Sequence, residues 1–145
     1  MKSLCRVLFA MAWLLLAVTA AAKAFTLTSK ARVMRSEDQV TGLSVRTVMA
    51  SATAVEVIAC IALLMLKDGY IRGIVLAGLG AQFLAYHGAK LMIAPQGLCP
   101  CLGSAWKWLG LSEAGATCLA LGIALIIAAA GVLHLGCHGR RSGVG

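Results

Sequence analysis

Charge is scarce in this chain. Lys, Arg, Asp and Glu make up 12% of its 145 residues. A soluble domain carries about 25%, so an ordinary water-facing surface is excluded. Aromatic residues are scarce too, at 6%, with three Trp and two Tyr. The net charge is +8, yet the basic residues are scattered. With no soluble fold to carry a basic face, nucleic-acid binding is excluded. Attraction to anionic lipid explains the charge more simply. Only two prolines occur, Pro95 and Pro100, and both fall in one polar gap. The long apolar runs are therefore free of proline breaks.

Hydrophobic residues, in contrast, make up 61% of the chain. One small core cannot bury that much apolar surface, so lipid must be the solvent for a large part of it. The expected fold class is all-α, a single membrane domain over 1–145. It is a bundle of four transmembrane helices, or of three if the N-terminal segment is a cleaved signal.

Lys2 and Arg6 precede an apolar stretch from Val7 to Ala22. Residues 1–24 read as a first span or as a signal peptide, with Ala22-Lys23-Ala24 as a small-residue cleavage site. In a retained span, Lys23 is placed to snorkel at the helix end. Residues Phe25 to Arg46 hold Lys30, Arg32, Arg35, Glu37, Asp38 and Gly42, and read as a solvated connector. The second span is expected over 47–66. Glu56 sits in its middle, with Cys60 one turn on and Thr53 on the same face. A carboxylate at that depth is either functional or a polar contact between helices.

Lys67-Asp68-Gly69 reads as a tight turn into a third span over 71–94. That span is interrupted by polar residues. Gly73, Ala77, Gly80 and Ala81 form a candidate packing face. Gln82 and His87 are expected to point inward, His87 as a proton relay or a hydrogen-bonded structural residue. A last span is expected over 114–135, with Gly115, Gly122 and Gly131 as small packing positions and Cys118 near its start. His134, Cys137 and His138 have helical spacing but are a poor ligand set for a metal, and no metal site is assigned.

The loop between the last two spans carries the chemistry. It contains Cys99-Pro100-Cys101-Leu102-Gly103, followed by Trp106 and Trp108, which suit a membrane–water interface. Two thiols one residue apart can join only if the backbone turns sharply. Pro100 and Gly103 favour such turns. A ring this small adds little stability through chain entropy, and small strained disulfides exchange readily. Redox exchange is thus favoured over two inert thiols or half of a soft-metal site. His87, Lys90 and Lys107 are candidates by position to support a thiolate. The other four cysteines, Cys5, Cys60, Cys118 and Cys137, read as lone residues within or beside apolar segments.

Basic residues on the two sides of such a bundle nearly balance, so charge gives no orientation. The signal-like N-terminus favours an inner membrane with the N-terminus inside. The Cys-Pro-Cys loop would then be on the extracytoplasmic side, where disulfides persist.

These features resemble the methylamine-utilisation MauE proteins, within the wider DoxX-like group of small four-helix membrane proteins. The resemblance rests on Lys23 closing the first span, Glu56 within the second, and C-x-C-x-G from Cys99 to Gly103. The family commonly shows Cys-Gly-Cys-Phe-Gly there, where this chain has Pro100 and Leu102. The resemblance implies thiol–disulfide transfer beside an extracytoplasmic thioredoxin-like protein. Disulfide-bond enzymes of the DsbB and vitamin K epoxide reductase types are less similar, because they use C-x-x-C and a second external pair.

The resulting expectation is a membrane redox protein. Cys99 and Cys101 would exchange electrons with a partner, Cys118 would resolve, and Glu56 with His87 would handle protons. The alternatives are a non-catalytic subunit or scaffold of a larger complex, and a metal-handling membrane protein. The sequence assigns no cofactor beyond the cysteine pair and leaves a quinone open.

Overall fold

A computed structural model describes residues 2–28, 37–93, 110 and 112–139. The described chain is all-helical. Its helices are α1 (Lys2–Leu27), α2 (Val45–Met65), α3 (Gly69–Ile93) and α4 (Glu113–Gly139). Three stretches are long and apolar enough to cross a membrane: Cys5–Leu27, Val45–Met65 and Gly115–Cys137. The fourth helix, α3, carries Arg72, Gln82, His87 and Lys90 in its sequence.

Local chemistry sets the helix ends. The Ser44 hydroxyl accepts from Thr47 N at 3.1 Å and starts α2. The Asp68 carboxylate accepts from Tyr70 N at 2.8 Å and starts α3 right after the expected turn. Ser112 does the same for α4 through Gly115 N at 3.2 Å. The last helix runs past 135, so Cys137 is helical.

Pairs of contacts give the topology. A Cβ placed on Gly73 would meet Leu135, one on Gly80 would meet Ala128, and Gly131 faces Ala77. Numbers rise on α3 as they fall on α4, so the two helices are antiparallel. Trp13 Nε1 donates to Cys60 O at 3.1 Å, and Leu27 packs on Val45 and Met49, so α1 and α2 are antiparallel as well. Ala12 and Leu16 of α1 meet Leu63 of α2, Leu76 of α3 and Ile127 of α4 in one core. The outward faces are equally apolar. Met11, Leu14 and Val18 on α1, and Ile58, Ile61 and Leu64 on α2, are exposed at helical spacing. Such continuous apolar surface has lipid as its natural solvent.

The structure corrects several expectations. Gly73 and Gly80 are buried on the α3–α4 seam, but Ala81 is exposed. Gly131 packs there too, whereas a Cβ on Gly122 would meet nothing within 4 Å. Cys5 and Cys137 are not lone apolar fillers: a disulfide joins them across 132 residues. The cause is topological, because the start of α1 and the end of α4 lie side by side, with Phe9 and His134 ring centroids 5.2 Å apart in the next layer.

Candidate functional site

Each helix on its own leaves its polar residues unexplained, and the site appears only on assembly. α2 buries Val45, Met49, Thr53, Glu56, Ala59 and Leu63, a stripe of three- and four-residue steps. Glu56 thus faces the bundle with none of its surface exposed. Its neighbour Thr53 satisfies itself, donating from Oγ1 to Met49 O at 2.7 Å.

Lys23 lies one turn before the end of α1 and is 5% exposed. It does not snorkel to the surface as the sequence suggested. Its ammonium turns inward and forms a buried salt bridge with Glu56 Oε1. The reason is energetic: either charge alone in the interior costs several kcal/mol, and pairing offsets much of that. The Phe83 ring, from α3, has its centroid 5.0 Å from Lys23 Nζ and accepts the cation on its face.

Glu56 Oε2 has no hydrogen-bond partner among the described residues. Beside it lies a cavity of about 20 Å³, bounded by Thr19, Lys23, Phe83 and, from α4, Ala120, Ile123 and Ala124. That volume is about the least a single water needs. All four helices therefore contribute to the surroundings of one ion pair.

A larger cavity, of about 320 Å³, also borders Lys23 and Phe83 and lies between α2 and α3. Val48, Met49, Ala52 and Val55 form one wall, and Gln82, Phe83 and Tyr86 the other. Gln82 is exposed rather than packed inward as expected, but it faces this space. Part of the expected connector borders the cavity through Thr41. Asp38 is buried, and its carboxylate accepts from Thr41 N at 3.1 Å, from Thr41 Oγ1 at 3.0 Å and from Tyr86 Oη at 3.0 Å. Gly42, at φ 68°, lets the chain fold back on Asp38. The segment from 37 to 44 is a built turn tied to α3, not a free connector.

The remaining candidates are spread out. His87 is buried on α3, edge-on to the neighbouring Tyr86 ring. Cys60 is a half-buried free thiol packed on the core, and Cys118 is a free thiol on an exposed face of α4. Cys99, Cys101, Gly103, Trp106, Lys107 and Trp108 lie outside the described residues, as do Arg140 and Arg141. Among the described residues, no cluster of three His, Cys, Asp or Glu side chains could hold a metal.

Sequence reasoning named Lys23 and Glu56 separately. It did not join them, nor did it find Asp38, Tyr86, Phe83 or the Cys5–Cys137 pair. Two charges in an otherwise apolar chain were the available signal for the first pair. Comparison with protein-family models, curated proteins and solved structures finds no match.

Proposed function

We propose that this chain is a MauE/DoxX-like membrane redox protein that takes part in thiol–disulfide exchange through Cys99 and Cys101. The observation that carries the reading is the Lys23–Glu56 salt bridge. Two residues that support the resemblance singly turn out to form one buried site. That site sits in the half of the bundle nearer the loop joining α3 and α4, since Phe83 is ten residues before Ile93. In this reading α3 is the fourth span, which its antiparallel seam along α4 from Gly73 to Gly80 supports. α1 is retained in the same reading, which the salt bridge supports, since cleavage after Ala24 would strip Glu56 of its buried partner.

In the exchange step, a thiolate of a thioredoxin-like partner attacks one sulfur of the Cys99–Cys101 disulfide. A mixed disulfide forms, and the partner's second thiol displaces it. Two electrons and two protons pass to this chain, and the partner is left oxidised. Cys118 is the candidate resolving thiol, and Glu56 with His87 the candidate proton acceptors. Thiol trapping in cells tests the reading. Cys99 and Cys101 should change redox state together when external reductant is added. A pair that stays in one state throughout would overturn it.

One observation favours a second orientation. The signal-like N-terminus places the Cys-Pro-Cys loop on the extracytoplasmic side. The Cys5–Cys137 disulfide is at the opposite end of the bundle, and disulfides persist in oxidising compartments. Under that reading the termini face outward and the loop meets a partner in the cytoplasm. A membrane-impermeant thiol reagent separates the two by labelling Cys99 and Cys101 from one side only.

A further inference from the structure

We infer that the cavity between α2 and α3 is a binding site for a neutral, lipid-soluble molecule that presents a carbonyl oxygen to Lys23. This inference does not depend on the Cys-Pro-Cys reading. The cavity is about 320 Å³, within the range of small-molecule sites. Its walls are mainly apolar, from Val48, Met49, Ala52, Val55 and Phe83. A hydrocarbon chain is therefore a suitable filling, and the helices that bound it have lipid-facing flanks such as Val55 and Ile58.

The polar end is specific. A lysine ammonium has three donors. One goes to Glu56 Oε1, and the Phe83 face takes part of the charge. Lys23 lines the cavity while only 5% exposed, so the remaining donors of its ammonium call for an acceptor nearby. The acceptor should be neutral. Lys23 and Glu56 already cancel, and an added buried anion would have no countercharge to offset its desolvation. A carbonyl oxygen meets both conditions, and the Gln82 amide can donate to a second oxygen of the same head group. Val55 borders both the cavity and the exposed outer face of α2, so a ligand enters sideways, from the bilayer.

Two sources share this chemistry: an isoprenoid-tailed quinone and the ester carbonyls of a neutral diacyl lipid. The test uses the full chain in nanodiscs of phosphatidylcholine, with a photoactivatable probe of each kind. Adducts are mapped by mass spectrometry. Either probe should mark residues 48–55 and 82–86. Ala52→Trp, which fills the cavity from its wall, should cut that labelling by at least about tenfold while the thermal melt stays unchanged. Lys23→Met with Glu56→Leu should reduce it as well, because the donor is removed without stranding a charge. Labelling by the ring probe alone identifies the quinone class, and labelling by the diacyl probe identifies lipid. If neither probe marks these residues, or if folded Ala52→Trp is labelled as strongly as the parent chain, the inference is wrong.

Discussion

The two flanks of α3 are closed in different ways. Toward α4 the backbones nearly touch. A Cβ on Gly131 would lie 2.3 Å from Ala77 N, and one on Gly80 would lie 2.5 Å from Ala128 N. Toward α2 the helices stand apart around a cavity of about 320 Å³, with Gln82, Phe83 and Tyr86 reaching into the gap. The first flank is dry packing of small residues. The second is bridged by polar contacts from elsewhere: Lys23 to Glu56 and Asp38 to Tyr86. Helices in lipid gain little by hiding apolar surface from one another. They therefore adhere where small residues allow close contact, or where polar groups must be satisfied. This bundle uses one device on each flank, and the candidate site lies where close packing stops.

Changes at the open flank should have the largest effect. Glu56→Leu alone strands the Lys23 ammonium and should destabilise the bundle by about 3–5 kcal/mol. Adding Lys23→Met to the same chain should recover most of that loss. Unfolding in mixed detergent micelles measures both. A small effect of the single variant would mean that the ion pair is not what holds α1 to α2.

The close flank is tested next. Gly131→Ala pushes a methyl group into the main chain of α3 and should cost about 1–3 kcal/mol in the same titration. Tyr86→Phe removes one hydrogen bond to Asp38 and should cost about 1 kcal/mol, with the turn at 37–44 becoming more open to protease. Gly78→Ala is the control. Nothing lies within 4 Å of a Cβ there, so it should be neutral or stabilising by up to about 1 kcal/mol. Equal losses in Gly78→Ala and Gly131→Ala would erase the distinction between the two faces of the bundle.

Much of this fold was legible in advance. The apolar runs lack proline and have bilayer length, so helices over 47–66, 71–94 and 114–135 were readable to within a few residues of those observed. Of the packing face read as Gly73, Ala77, Gly80 and Ala81, the first three were readable because they share one side of a helix, while Ala81 is exposed. Cys99 and Cys101 were named from their spacing, and they lie outside the described residues. The partner of Lys23 was not, since its position near a helix end fits a snorkelling side chain equally well. Gln82 was misplaced for a related reason: hydropathy says that a polar residue avoids lipid, but not whether it enters a core or edges a cavity.

The sequence by itself determined the solvent, the helices and the small-residue stripe. These follow from composition and from periodicity along one segment. Only the tertiary structure decided that Lys23 meets Glu56, that Asp38 meets Tyr86, that Cys5 meets Cys137, and that a cavity opens between α2 and α3. Each depends on which helices become neighbours and in what register. Those choices minimise the cost of buried charge and of poor packing over the whole bundle, and no local stretch of sequence encodes them.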